Sequence, residues 1–253
     1  SGGIDSALSA YLSAKALGAE NVLVVRMPYE TSSPESLSDA ELVIEDLGLP
    51  SITVPITPMV QPLIDQFPDM TNLRAGNIMA RQRMIILYDQ SVSWGGLVMG
   101  TSNKTEFLLG YSTIYGDSGV AMHPIADLFK YQVRQLSRAV GVPSPIVDKP
   151  PSADLWEGQT DEKELGFSYD DADVVLYLLV DERYTVAEAA EAAGAPSGLI
   201  QCVEEPSVPL VEEIMVSDKI NVIKNLLTIF LFCSNTSLNF FNILVCFSIS
   251  RLF

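Results

Sequence analysis

The stretch Val22-Leu23-Val24-Val25-Arg26-Met27 limits the fold of this 253-residue chain more than any other. It is β-branched, lacks polar alternation and is too short for a stable helix, so it reads as a strand buried on both faces. A helical pattern precedes it from Ala7 to Leu17 and stops at Gly18. Another follows from Pro34 to Leu47, with Ser33 as cap, Glu35 in the first turn and Gly48 as the stop. The alternation continues with a strand at Ser51 to Val54, a helix from Pro58 to about Gln66 and a long amphipathic helix from Asn77 to Ser93. A strand at Gly96 to Gly100 and a helix from Leu128 to Val140, ending at Gly141, complete the pattern. No internal repeat is found. Strands and helices in alternation predict an α/β fold, a doubly wound parallel sheet with helices on both faces. In such sheets ligands collect beyond the carboxyl ends of the strands.

Charge narrows the class of ligand. Thirty-two acidic residues against 15 basic ones give a net charge of −17. That excludes a nucleic-acid-binding surface, which needs clustered Lys and Arg. An anionic substrate must instead be held by a few placed cations, a metal ion and backbone dipoles. Cys202, Cys233 and Cys246 show neither metal spacing nor a disulfide framework, which fits a reducing, cytoplasmic setting. His123 is the one histidine, so a mechanism built on a histidine base would hang on it alone.

The opening residues Ser1-Gly2-Gly3-Ile4-Asp5-Ser6 run straight into the first helix. Such a turn aims backbone N–H groups and the positive helix end at one spot, which suits a chain of phosphates. Asp5 would repel phosphates unless a cation lay between, which makes it a candidate Mg²⁺ ligand. The loop lacks the Gly-Lys-Ser/Thr ending of a Walker A motif, so γ-phosphate transfer is not its natural chemistry. An ordinary glycine-rich turn capping a helix is the other reading, and six residues do not separate the two. Such a loop normally follows a buried strand. The chain starting at the loop therefore leads to the expectation of a lost first strand and an exposed sheet edge.

Two further candidates lie where strands end. Arg26 closes its strand, either as a solvated end or as a nucleotide contact. Glu106, in Thr101-Ser102-Asn103-Lys104-Thr105-Glu106, is either an exposed helix-start glutamate or a second carboxylate that meets Asp5 across the sheet edge to share Mg²⁺.

In order and spacing, the opening loop resembles the signature of the ATP pyrophosphatases. Gly76-Asn77-Ile78-Met79-Ala80-Arg81-Gln82-Arg83-Met84, Gly100 to Glu106, Tyr115-Gly116-Asp117, Pro124 to Lys130 and Lys149 to Gly166 resemble the NAD synthetase branch of that group. The resemblance implies an adenine nucleotide alpha-hydrolase fold. It implies a ligase that adenylates the nicotinate carboxylate of deamido-NAD with ATP, releases pyrophosphate, and lets ammonia displace AMP. It implies that Ser1, Gly2, Gly3, Ile4, Asp5 and Ser6 bind ATP phosphates, with Asp5 and Glu106 on Mg²⁺. Thr101, Lys130 and Ser152 match ATP contacts, and Arg26 would border the adenine or ribose. The resemblance implies that Asp5, Glu106 and Lys130 form the catalytic set. Arg81 matches a residue holding deamido-NAD, and Arg83 beside it strengthens an anion-binding reading of that helix. A homodimer is implied, as is either free ammonia or a glutaminase domain upstream as nitrogen source.

The chain also departs from the pattern. Ile114 stands where a substrate-binding lysine is common, and Ala121 where an aspartate is. Losing both partners of a charge pair strands neither. After about Glu204 the likeness fades, and the sequence divides into a catalytic unit, residues 1–204, and a divergent tail, residues 205–253. Asn225 to Ser250 carries no charge. It is long enough for a membrane helix, but Asn225, Asn235, Asn239 and Asn242 interrupt it at a cost in lipid. Non-native sequence is the favoured expectation, a membrane anchor the second and buried core the third.

Overall fold

A computed structural model describes residues 2–152, 160–204 and 242–247. Helix α1 (Ile4–Leu17) ends at Gly18 and leads through a short 3-10 turn into strand β1 (Val22–Arg26). Helix α2 (Pro34–Leu47) has the expected bounds. Ser33 accepts the Ser36 amide, Pro34 occupies the first turn, where its missing N–H costs nothing, and Gly48 takes a left-handed φ to close the end. Strand β2 (Ser51–Thr53) and helix α3 (Thr57–Ile64) follow. Helix α4 (Asn72–Trp94) begins a turn and a half before the expected start, because the Thr71 hydroxyl caps it through the Arg74 amide. Strand β3 (Gly96–Met99) leads to helix α5 (Lys104–Leu109), and α6 (Lys130–Val140) comes next. Then come α7 (Ser144–Val147), α8 (Asp161–Leu165), α9 (Tyr169–Val180), α10 (Val186–Ala193) and α11 (Ser197–Glu204). Strand β4 (Asn242–Phe247) is last.

The four strands run parallel in the order β2-β1-β4-β3. Side chains of β1 alternate between two cores, as a strand covered on both faces must. Val22 and Val24 pack with Ile4, Leu8 and Tyr11 of α1, Val43 and Ile44 of α2, Val133 of α6 and Ile146 of α7. Leu23 and Val25 pack with Val60 of α3 and Met79, Ile86 and Leu87 of α4. The doubly wound α/β architecture is therefore what the molecule has. A third core, around Tyr111, Phe129, Phe167, Leu176 and Leu199, ties α5 to α9 and α11.

Strand β4 departs from the expectation for the tail. Residues 242–247 do not stand apart from the catalytic unit but pair along both edges, with β1 and with β3. The exposed internal edge expected from a lost strand is thus absent among the described strands. The physical reason is local composition: Ile243-Leu244-Val245-Cys246-Phe247 is an unbroken apolar run, and an interior position in a parallel sheet asks for that. Asn242 falls at the strand's start. No helix among the described residues is long and apolar enough to cross a membrane. Asn225, Asn235 and Asn239, and the membrane reading resting on 225–241, lie outside the described residues.

Candidate active site

The glycine turn and the segment after β3 meet. Ser1 lies outside the described residues. Gly2 has φ +73, and a Cβ there would strike the backbone of Ser36, so the chain can pass only as glycine. Gly3 is the N-cap of α1, Ile4 starts the helix and faces the core, and the Ser6 hydroxyl donates to the Gly3 carbonyl at 2.9 Å. Asp5 is thereby placed in the first turn, where its charge suits the helix N-terminus.

Beyond β3 the chain turns at Gly100. A Cβ there would meet the His123 ring, which is how closely residues 120–123 pack on this turn. Burial pushes the His123 pKa down to about 4, and its Nδ1 has no hydrogen-bond partner among the described residues. Thr101 is half-buried and lines a small cleft with Met84, Leu87, Gly116, Asp117 and Val120. Asn103 and Glu106 then form a reciprocal capping box at the start of α5. The alternative of an exposed helix-start glutamate does not hold, because Glu106 is only 1% exposed.

Four buried groups converge here. Lys130 Nζ lies 2.6 Å from Asp5 Oδ2 and 3.3 Å from Glu106 Oε1. Asn103 Nδ2 donates to Asp5 Oδ1 at 2.8 Å and to Glu106 Oε1. The Lys130 ammonium also sits 4.9 Å from the Tyr169 ring centroid, a cation–π contact. Residues from α1, α5 and α6 are thus joined in one cluster.

The backbone of Lys130 is held as firmly as its side chain. Its N–H donates to Thr105 Oγ1 at 3.0 Å, and the next amide, of Tyr131, donates to Asp173 Oδ2 at 2.7 Å. Thr105 Oγ1 in turn donates to Asp173 Oδ1 at 2.5 Å. Burial raises the Asp173 pKa, while the hydrogen bonds from Thr105 and from the Tyr131 and Lys130 amides oppose that rise. Below this lies a second acidic group: Tyr169 and Tyr111 donate to Asp161, and Tyr111 also to Glu164.

The other candidates sit apart. The Arg26 guanidinium pairs with Glu41 of α2. Its Nε, buried, finds no partner among the described residues. Arg81 is exposed on α4, and its Nε donates to the Ile114 carbonyl at 3.2 Å. Ser152 is exposed at the edge of a described stretch. Arg83 corrects the pairing expected with Arg81: it is 1% exposed and donates to the Met27 carbonyl at 3.1 Å, tying α4 to the end of β1. It is an internal strut, because a helix sends residues two apart to different faces.

Asn103, Thr105 and Asp173 were not among the sequence candidates. The first had a readable signal, since Asn-x-x-Glu ahead of an apolar run is a capping-box pattern. Asp173 had none, because only packing brings α9 to the start of α6.

Comparison with known proteins decides the family. The NAD synthase family model matches residues 1–207. The chain belongs to the NAD synthase family. The NH(3)-dependent NAD(+) synthetase of Trichlorobacter lovleyi is 59% identical over 192 residues, 76% of this chain and 70% of that one. The enzyme of the same name from Chlorobaculum tepidum is 52% identical over 201 residues, 79% and 72% of the two chains. Among solved structures, NMN synthetase from Francisella tularensis superposes with TM-score 0.71 at 32% identity, covering 83% of this chain and 84% of that one. The NH3-dependent NAD synthetase from Campylobacter jejuni, bound to nitrate, superposes with TM-score 0.67 at 33% identity, over 84% and 82%. As a member, the chain is a ligase that forms a carbon–nitrogen bond with ATP as co-substrate.

Proposed function

We propose that the Asp5–Glu106–Lys130 cluster is where this enzyme activates the nicotinate carboxylate of deamido-NAD with ATP and then amidates it with ammonia. A carboxylate oxygen attacks the α-phosphorus, the bond to the β-phosphate oxygen breaks, and pyrophosphate leaves. Ammonia then attacks the acyl carbon of the adenylate, AMP departs with the bonding electrons, and the nitrogen loses a proton, leaving NAD. The observation carrying this reading is the ammonium of Lys130 set between two buried carboxylates beside a glycine turn.

Does the donor set fit Mg²⁺? Among the described residues no group of three or more His, Cys, Asp or Glu could cage a metal. Two carboxylates are nevertheless what Mg²⁺ asks of a protein when phosphate oxygens and water complete its octahedron. A cation already stands between them, in the form of the Lys130 ammonium. The set fits. When bound, the ion supplies positive charge against the leaving pyrophosphate. The chain's own part is alignment: the turn at Gly2 and Gly3 offers amides to phosphate oxygens, Lys130 adds a fixed positive charge, and Arg81 presents an exposed guanidinium to the dinucleotide.

Other parts of the reading rest on less. Residues 1–204 form the catalytic unit, and 242–247 lend it a strand. A homodimer is supported by α4, which exposes Ile85, Tyr88 and Val92 along one face, 55%, 41% and 83% accessible. The cysteine spacing, which shows no disulfide framework, and the ATP requirement favour the cytoplasm.

One assay tests the function. With ATP, Mg²⁺, ammonium and deamido-NAD, the products should be NAD, AMP and pyrophosphate in equal amounts. ADP in place of AMP would end this reading.

A further inference from the structure

Asn103 is 0% exposed, and its side-chain oxygen and both of its side-chain N–H groups are engaged. A carboxamide has one acceptor oxygen and two N–H donors. Oδ1 accepts the Glu106 amide at 3.0 Å, which is the helix cap. Nδ2 has no part in capping. It donates once to Asp5 Oδ1, at 2.8 Å, and once to Glu106 Oε1. The Asn103 backbone N–H also reaches the other oxygen, Glu106 Oε2, at 3.3 Å. A cap alone could be supplied by serine, which has an oxygen and no such nitrogen.

We infer that Asn103 is a positioning residue for the metal site: its carboxamide nitrogen sets the spacing and orientation of the Asp5 and Glu106 carboxylates so that both face one cation. This rests on the metal reading proposed above. The physical need is plain. Two buried carboxylates repel each other, and Mg²⁺ tolerates little deviation from octahedral angles. Lys130 also bridges the pair, but its ammonium brings charge of its own and stands in the place a metal would take. Asn103 is neutral and short, and it grips one oxygen of each carboxylate. It holds the pair without adding charge. The same side chain ties the geometry to the start of α5, so the site is aligned by a rigid element.

The test separates capping from alignment. Asn103→Ser keeps the cap oxygen and removes the nitrogen donors. Free Mn²⁺ is followed by electron paramagnetic resonance in a titration of the protein with ATP and no dinucleotide, so no turnover occurs. The variant, held below its own melting temperature, should bind Mn²⁺ about 10- to 100-fold more weakly than the unaltered chain. Unchanged Mn²⁺ affinity in Asn103→Ser, with binding lost in Asp5→Asn, overturns this inference and leaves the metal reading intact. Unchanged affinity in Asp5→Asn overturns the metal reading itself. If Asn103→Ser does not fold, the unaltered protein decides. Its Asn103 side-chain amide resonance should move when Mg²⁺ is added to the ATP-bound protein, and a resonance that stays put counts against the proposal.

Discussion

Around Asp5, side chains from three helices are buried and bonded to one another; around Arg81, a guanidinium stands in the open and leans on the Ile114 carbonyl. The first region is finished before any substrate arrives. The second is not. Tyr115, next to Ile114, is 74% exposed and held at φ 59, a left-handed conformation uncommon for residues with a Cβ. On the function proposed above, the contrast follows from what each end would do. Charge development on a leaving pyrophosphate is best met by fixed dipoles and ions that need no reorganisation. Holding a large dinucleotide needs room, and its contacts are completed by the ligand.

If the first region is the preset one, breaking it should cost most. Asp5→Asn or Glu106→Gln should each lower kcat by at least about 1,000-fold, ~4 kcal/mol, in steady-state assays of NAD formation. Full turnover in either would erase the distinction between the two regions. Lys130→Met leaves two buried carboxylates without their ammonium, and urea unfolding should show a loss of ~3–5 kcal/mol. Mg²⁺ with ATP should raise the melting temperature of that variant more than that of the unaltered chain, since the ion replaces the missing charge.

His123 sharpens the comparison from the side. Its pKa lies near 4 in the fold against an ordinary 6.5, so the unfolded chain takes up the proton first as pH falls. The contribution to stability is whole above pH 6.5 and is lost between 6.5 and 4, by ~3 kcal/mol. His123→Leu should flatten that part of the curve in urea titrations at several pH values. An identical slope would show that the ring is solvated. Smallest is Arg81→Ala, expected to raise KM for deamido-NAD about 30-fold, ~2 kcal/mol, with KM for ATP and the unfolding midpoint nearly unchanged. A larger rise for ATP would move Arg81 to the other end of the site.

Local rules carried much of the chain. The bounds of α2 were readable because Ser33, Pro34 and Gly48 act within one turn of where they sit. The start of α4 was missed by five residues, since Thr71 caps it ahead of the apolar pattern that announces it. Arg81 and Arg83 looked alike in sequence and have opposite fates, because an exposed helix edge and a buried one differ only in what packs against them.

The amino-acid order alone determined the alternating strands and helices, the glycine turn and the acidic residue in the first turn of α1, all set by interactions a few residues long. Only the folded chain decided that Asp5, Asn103, Glu106 and Lys130 share one buried cluster, and that residues 242–247 lie between β1 and β3. The Asp5–Asn103 and Asp5–Lys130 contacts and the β1–β4 pairing join segments about a hundred or more positions apart. No short-range pattern encodes such a meeting; it exists only where the helices and sheet pack against each other.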